Sequence, residues 1–171
     1  MNQQHYYAVL ETRLGWLGAL ATQIGIRRIV LPKDTAIDAV AGLGPQLENA
    51  QLDQARFRDL RTQIDEYLNG TLKNFTVPMD MGNYSRFFLR AWEACSSIPF
   101  GETRSYRWLA THAGNASAVR AAGQAMARNP LPLLIPCHRV ISSNGNLHGY
   151  VGGLDMKRHL LELECRVTVE S

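Results

Sequence analysis

The strongest constraint on the fold is a change of sequence pattern at Gly82-Asn83. Before it, residues 7–11 alternate as in a strand, and 16–22 and 24–31 read as two further short strands punctuated by glycine, which predicts a small antiparallel sheet. After it, apolar residues recur at three- and four-residue steps, which predicts helices. With 171 residues the chain can form two small domains. We therefore expect an α/β (α+β) domain over 1–82 and a mainly helical domain over 83–171.

The remainder of the first domain contains one clear helix. Residues 34–51 lack a clean period and contain glycine and proline, which predicts a loop with a short helix at most. Residues 53–69 carry apolar side chains at helical spacing and end at Asn69-Gly70, which predicts an amphipathic helix. The segment 75–81 is predicted to be a strand.

The second domain is predicted to begin with three helices. Apolar residues from Phe87 to Ile98 share one helix face. Ser105 is a suitable N-cap for a helix over 106–112, and Ser117 for one over 118–128. Two short helices joined by a tight glycine-containing turn have the outline of a helix-turn-helix motif.

The helix over 118–128 carries unusually small side chains. They are Ala118, Ala121, Ala122, Gly123, Ala125 and Ala127. Such a surface allows another molecule to approach the helix backbone closely, and it equally suits a tightly packed core helix. Arg120, the long cation among these small residues, favours a surface that binds nucleic acid.

Charge and composition limit the class of protein. Between Arg86 and Arg139 there are seven arginines against two glutamates, and arginine matches phosphate geometry and stacks on bases. A solvated basic face would give the same pattern. No apolar run approaches the roughly 18 to 20 residues of a membrane span. Residues 1–11 show no leader segment, and three scattered cysteines make no disulfide framework, so we expect a cytoplasmic protein.

The segment 129–140, NPLPLLIPCHRV, is the best candidate for chemistry. A proline-rich apolar run leads directly to Cys137, followed by His138. Burial would raise the pKa of the thiol, so a reactive Cys137 needs a neighbour that favours the thiolate. Adjacent side chains do not face each other in a helix or a strand, so either the backbone turns sharply here or a water bridges the two groups. A structural cysteine is the alternative.

Metal binding is not expected from the spacing of the possible ligands. A structural zinc site needs four ligands, usually with a pair of cysteines two to four residues apart. Here the cysteines are far apart along the chain, and no cysteine lies in the N-terminal part. We predict no metal.

Short motifs in the C-terminal half occur in a fixed order. They are Ile98-Pro99-x-Gly101-Glu102-x-x-Ser105-Tyr106, Val119-Arg120-Ala121-x-Gly123, Asn129-Pro130, Pro136-Cys137-His138-Arg139-Val140, Tyr150-x-Gly152-Gly153 and Leu160-Leu161-x-x-Glu164. This set resembles the O6-alkylguanine-DNA alkyltransferases, the methylated-DNA–protein-cysteine methyltransferases. The resemblance is specific from Phe87 to Glu164 and only general before it.

The resemblance implies a role for each matching residue of the reactive centre. Cys137 would accept the alkyl group from guanine O6, and the product would be a stable thioether, so that each molecule reacts once. His138 would act as a base through a water and be oriented by Glu164. Tyr106 would help to turn the nucleotide out of the duplex and would donate a proton to the leaving guanine. Asn129 would brace the turn around the cysteine.

The resemblance also implies an architecture and a partner. A ribonuclease-H-like supporting domain over 1–82 would precede a winged-helix or helix-turn-helix-like domain over 83–171 that binds DNA and accepts the alkyl group. The partner would be double-stranded DNA containing O6-alkylguanine, and O4-alkylthymine as well. No cofactor and no obligate protein partner are expected, and the protein would be a monomer. The DNA-contacting residues would be Arg120, Tyr106, Ala118, Ala121, Gly123, Asn115 and Ser143. The alkylguanine pocket would contain Pro132, Tyr150, Val151 and Gly152.

Two departures from the family pattern concern substrate contacts. Phe88 stands where the family usually has glutamine, and Val151 stands where it usually has a small residue. We expect the two methyl groups of Val151 to narrow the alkyl pocket. Three other functions compete with alkyl transfer: an alkyltransferase-like protein that only binds lesions, a helix-turn-helix regulator and a cysteine hydrolase. Cys137 argues against the lesion-binding proteins, which typically lack this cysteine.

Overall fold

The computed structural model describes residues 4–170, and of Glu170 the backbone only. The prediction that residues 1–11 contain no leader includes residues 1–3, which lie outside the described residues. The chain forms two compact units, Met1–Gly82 and Asn83–Ser171. Within residues 4–170, no helix is both long enough and apolar enough to cross a membrane.

The first unit contains a four-stranded sheet with the order β3-β2-β1-β4. The strands are β1 (His5–Thr12), β2 (Gly15–Ala21), β3 (Ile26–Lys33) and β4 (Ala50–Leu52). β1 and β3 are each antiparallel to β2, as expected, but β4 lies parallel to β1, so the sheet is mixed. A parallel strand requires a crossover connection, and the chain between β3 and β4 provides one, which contains helix α1 (Ala36–Ala41).

Two further predictions for this unit differ in outcome. The amphipathic helix is confirmed as α2 (Arg58–Leu68), which buries Leu60, Ile64, Tyr67 and Leu68. The strand expected over 75–81 is wrong, because it reduces to a single bridge between Met79 and Ile26. Pro78 lacks an N–H group and cannot donate to a longer ladder.

The second unit is mainly helical. Its helices are α3 (Arg86–Ser96), α4 (Tyr106–His112), α5 (Val119–Ala127) and α6 (Gly153–Glu170). Helices α3, α4 and α5 pack on one another, and the indole N–H of Trp92 donates to the Ala125 carbonyl at 2.9 Å. Two short strands, β5 (Arg104–Ser105) and β6 (Val140–Ile141), pair in parallel.

The two predicted helix caps in this unit also differ in outcome. The Ser105 hydroxyl accepts a hydrogen bond from the Trp108 N–H at 3.1 Å and caps α4, as predicted. Ser117 does not cap α5. Its hydroxyl donates to Oδ1 of Asn115 at 2.7 Å, and α5 begins after Ala118. The Asn115 side chain organises this turn instead, as asparagine commonly does.

Candidate active site

Cys137 follows a turn that Asn129 holds in place. The side-chain amide of Asn129 donates to the Ile135 carbonyl at 2.9 Å, and its Oδ1 accepts from the Leu131 N–H at 2.9 Å. Leu133 has a φ of 79°, in the left-handed region that few non-glycine residues occupy. These bonds satisfy buried backbone groups that the proline-rich run leaves without helix or strand partners.

The cysteine and the histidine lie in one tight turn of the chain. Cys137–Arg139 form a single 3-10 turn, with the Cys137 N–H donating to the Ile135 carbonyl at 2.7 Å and the Arg139 N–H to the Pro136 carbonyl at 2.9 Å. All three side chains of this turn are buried.

Cys137 is a buried thiol, only 2% exposed. Burial raises its pKa to about 11, and a hydrogen bond from Asn129 and the positive charge of Lys157 act in the opposite direction. At neutral pH the resting cysteine is therefore protonated. A reaction of its sulfur requires that the thiol lose its proton after a substrate has entered.

A buried ionic cluster contains the two residues that follow this cysteine, His138 and Arg139, together with Glu164. Nε2 of His138 is 2.7 Å from Oε1 of Glu164, and the guanidinium of Arg139 donates to both carboxylate oxygens at 3.0 to 3.2 Å. The Gly101 N–H donates to Oε2 at 2.9 Å, and Nη1 of Arg139 donates to the Ile98 carbonyl at 2.7 Å. The carboxylate and the guanidinium are thereby held by several charge-assisted bonds.

The ionisation of the cluster follows from these contacts. Burial would raise the pKa of Glu164, but hydrogen bonds and charge from His138 and Arg139 outweigh it and lower that pKa to about 2. Burial lowers the pKa of His138, although Glu164 opposes this effect. At neutral pH the cluster therefore contains a carboxylate and a neutral imidazole that can accept a proton.

Lys157 is a site residue that the sequence interpretation missed. Its side chain is fully buried, and Nζ donates to the carbonyls of Val140 at 2.7 Å and His148 at 3.1 Å. The Tyr106 hydroxyl reaches the same His148 carbonyl at 3.5 Å. Lys157 and Glu164 are seven residues apart on α6, which is about two helical turns, so they lie on the same face of the helix. This spacing is the sequence signal that could have identified Lys157.

A cleft of about 620 Å³ opens beside α5 in this unit. Its lining includes Tyr106, Gly123, Tyr150 and Val151, and Val151 is half exposed. The other two predicted pocket residues are placed differently. Pro132 is buried in the turn before the cysteine, where it pairs with Ile135, and Gly152 lies next to the lining residues in sequence.

Apart from Tyr106, the first residue of α4, the residues predicted to contact DNA lie on α5, at its N-cap and on two turns. Arg120 is exposed, and Ala118 and Ala121 are half-buried. Ala122 and Ala125 are buried. The small residues therefore lie both on the packed face of the helix and on its accessible face. Asn115 is exposed before α5. Ser143 is exposed in the turn 142–145, which the Gly145 N–H closes by donating to the Ser142 carbonyl at 2.9 Å.

No metal site is evident among the described residues. Within 4–170, no three His, Cys, Asp or Glu side chains lie together as a bound metal ion would require.

Sequence models of two domains together match nearly the whole chain. Residues 5–81 match the ribonuclease-like domain of 6-O-methylguanine DNA methyltransferase, and residues 86–166 match its DNA binding domain. The inducible methylated-DNA–protein-cysteine methyltransferase of Bacillus subtilis is 43% identical over 118 residues, which cover 69% of this chain and 65% of that relative. The Methanosarcina acetivorans methylated-DNA–protein-cysteine methyltransferase is 37% identical over 93% of this chain and 97% of its own length.

Solved structures of similar proteins show the same fold. Mycobacterium tuberculosis O6-methylguanine methyltransferase has a TM-score of 0.82 at 32% identity, over 98% of this chain and 99% of that one. M. tuberculosis OGT in complex with DNA has a TM-score of 0.83 at 33% identity, over 95% of this chain and 94% of that one.

The fold and the comparisons together define a DNA-binding protein with a buried cysteine in its helical domain. The chain belongs to the 6-O-methylguanine DNA methyltransferase family.

Proposed function

We propose that this protein repairs DNA directly by moving the alkyl group of O6-alkylguanine onto Sγ of Cys137. The observation that carries the proposal is the position of Cys137, which is buried behind the Asn129 turn and directly precedes the His138–Glu164 pair. Nothing in the chemistry regenerates the thiol from a thioether. Each molecule therefore reacts once.

The reaction is a single displacement in which atoms and charge balance. A sulfur–carbon bond forms as the bond between that carbon and guanine O6 breaks, the thiol loses its proton, and the leaving guanine takes up a proton. His138 accepts the thiol proton through a bridging water, because its imidazole is neutral and Glu164 stabilises the charged form. Tyr106 donates a proton to the guanine and regains one from solvent, while the protonated His138 returns its proton to solvent, so no net proton is gained or lost. This reaction needs no cofactor.

The raised pKa of Cys137 gives this reaction its selectivity. A protonated, buried thiol reacts slowly with small electrophiles in solution. We infer that a bound alkylated base holds its alkyl carbon close to the sulfur, and that this proximity replaces intrinsic thiol reactivity. Asn129 supports the arrangement by hydrogen bonding both to the turn and to the cysteine.

Access to guanine O6 requires that the nucleotide leave the duplex. Extruding a base costs a few kcal/mol of stacking and pairing, and an inserted side chain offsets part of that cost. In this proposal the exposed Arg120 fills the vacated stack while the small residues of α5 follow the minor groove. Tyr106, which lines the cleft, helps to rotate the nucleotide. Ser143 and Asn115 contact the DNA backbone.

The remaining features of the proposal concern substrate range and setting. O4-alkylthymine presents a similar alkylated oxygen and is a second substrate. The protein acts as a monomer without an obligate protein partner. Its three cysteines are free thiols, and the cytoplasm keeps such thiols reduced. Because the net charge is only +3, binding to undamaged DNA is weak and sensitive to salt.

Quantifying the repaired base tests the proposal. A duplex carrying one O6-methylguanine is incubated with increasing amounts of protein, then digested, and its nucleosides are quantified. We expect guanine to appear in a one-to-one ratio to active protein without further turnover, and no conversion by Cys137→Ser. Conversion in excess of protein would contradict a stoichiometric acceptor. Lesion-specific binding by the parent without conversion would indicate a lesion-recognition protein.

A further inference from the structure

A second long polar side chain lies beside Arg120 on the exposed face of α5. The helix buries Ala122, Ala125 and Met126, whereas Arg120 and Gln124 are both exposed. At about 100° per residue, positions four apart differ by about 40° around the helix axis, so both side chains project from the same face. Gln124 lies about 6 Å further along the axis than Arg120.

The residues around Gln124 on this face have small side chains. A Cβ atom placed on Gly123 would meet no atom within 4 Å, which shows open space on that side of the helix. Ala127, also exposed, is the next residue along the same face, and Ala121 is half-buried. Within α5, Arg120 and Gln124 are therefore the long side chains that an approaching molecule meets, and the exposed Arg128 follows at the C-cap.

The chemistry of the minor groove limits what such an amide can distinguish. Every base pair presents hydrogen-bond acceptors there, so the amide N–H groups can bind any sequence. Only a G·C pair adds a donor, the exocyclic amine of guanine. The one discriminating bond that a glutamine can make is therefore the bond that its Oε1 accepts from guanine N2.

We propose that Gln124 reads a base pair next to the lesion and favours guanine at that position by accepting a hydrogen bond from its N2 amine. This inference rests on the function proposed above, in which α5 follows the minor groove and Arg120 enters the stack. An axial separation of about 6 Å corresponds to one or two base-pair steps of about 3.4 Å. The pair that Gln124 reads accordingly lies within two positions of the extruded nucleotide.

The experiment varies only the N2 amine. Single-turnover transfer rates are measured for O6-methylguanine duplexes in which each of the two pairs on either side of the lesion is G·C or inosine·C, since inosine is guanine without the amine. At one of these positions the parent is expected to react about threefold to tenfold faster with guanine. Gln124→Met, which has similar length but no acceptor, is expected to lose this preference.

The design separates this inference from the proposed function. Rates are compared as a guanine-to-inosine ratio within each protein, so the weaker pairing of inosine and any general change in rate affect parent and variant alike. Gln51→Met, an exposed glutamine in the other unit, serves as the matched control and should keep the parent ratio. Transfer from no duplex would overturn the proposed function. Transfer with no guanine preference in the parent, or with the same ratio in Gln124→Met, would overturn the role of Gln124 alone.

Discussion

Nε2 of His138 lies 2.7 Å from Oε1 of Glu164, and neither side chain reaches solvent. The two residues are 26 positions apart, so the contact depends on helix α6 packing against the turn that carries the cysteine. Arg139 binds the same carboxylate and prevents it from turning away. The contact with Glu164 fixes the orientation of the His138 imidazole. Because protonation of Glu164 would weaken this contact, the stability of the site depends on pH.

Glu164→Gln should destabilise the protein and reduce its sensitivity to acid. Removing one partner of a buried ion pair leaves Arg139 uncompensated, which costs about 3 to 5 kcal/mol at neutral pH. The pKa of Glu164 is about 2 in the folded protein against an ordinary 4.5, so its stabilising contribution is fully present above about pH 4.5 and is lost as the pH falls towards 2. Urea unfolding between pH 3 and pH 7 measures both effects. Glu162→Gln, an exposed neighbour on α6, is the control, and equal losses in both variants would contradict the prediction.

The labelling of Cys137 by iodoacetamide should depend steeply on pH. With a pKa of about 11, its thiolate fraction grows about tenfold per pH unit from pH 8 to pH 10. Labelling in a Cys165→Ser background, followed by peptide mass analysis, isolates this signal from the exposed thiol. A rate for Cys137 that is already maximal near pH 8 would show that the resting thiol is ionised and would contradict the buried, protonated state.

Val151→Ala should widen the range of alkyl groups that are accepted. Val151 lines the cleft, so removing its two methyl groups gives space to a bulky adduct and changes little for a methyl group. We expect the rate for O6-benzylguanine relative to O6-methylguanine in DNA to rise about threefold to tenfold. Leu154→Ala, also exposed but outside the lining, should leave this ratio unchanged. The same ratio in Val151→Ala and the parent would refute the narrowing role.

Lys157→Met should shift the titration of Cys137 to higher pH. The substitution removes a positive charge that lowers the pKa of Cys137, and it removes the two hydrogen bonds from Nζ to the carbonyls of Val140 and His148. The pH profile of iodoacetamide labelling reports the first effect, and methyl transfer, expected to slow about tenfold, reports both. Arg158→Met is the exposed control. A labelling profile that is unchanged in Lys157→Met would exclude an electrostatic role for this lysine.

The parts of the fold that local pattern governs could be predicted from the sequence. The alternation over β1, the short glycine-punctuated runs of β2 and β3, the helical period of α2 and the Ser105 cap depend on residues close together in the chain, and the structure contains them. Strand β4 could not be predicted, because three residues give no period and their pairing with β1 is set by a long connection. The Ser117 cap failed because the neighbouring Asn115 side chain takes its hydroxyl.

The candidate site shows a similar division. The resemblance alone implied Glu164, whereas the bonds of Arg139 and of Gly101 to that carboxylate depend on tertiary packing. Lys157 was missed because a lysine is usually exposed, and its burial becomes visible only when the carbonyls of Val140 and His148 are in place. The seven-residue spacing of Lys157 and Glu164 indicates that they share one face of α6, but it does not predict that Lys157 is buried.

Intact-protein mass spectrometry after incubation with an O6-methylguanine duplex tests the central claim most directly. If Cys137 accepts the methyl group, the parent gains the mass of one methyl-for-hydrogen replacement, peptide analysis places it on Cys137, and Cys137→Ser gains nothing. A parent of unchanged mass, or a methyl group found on Cys95 or Cys165, would contradict the assignment of Cys137 as the acceptor.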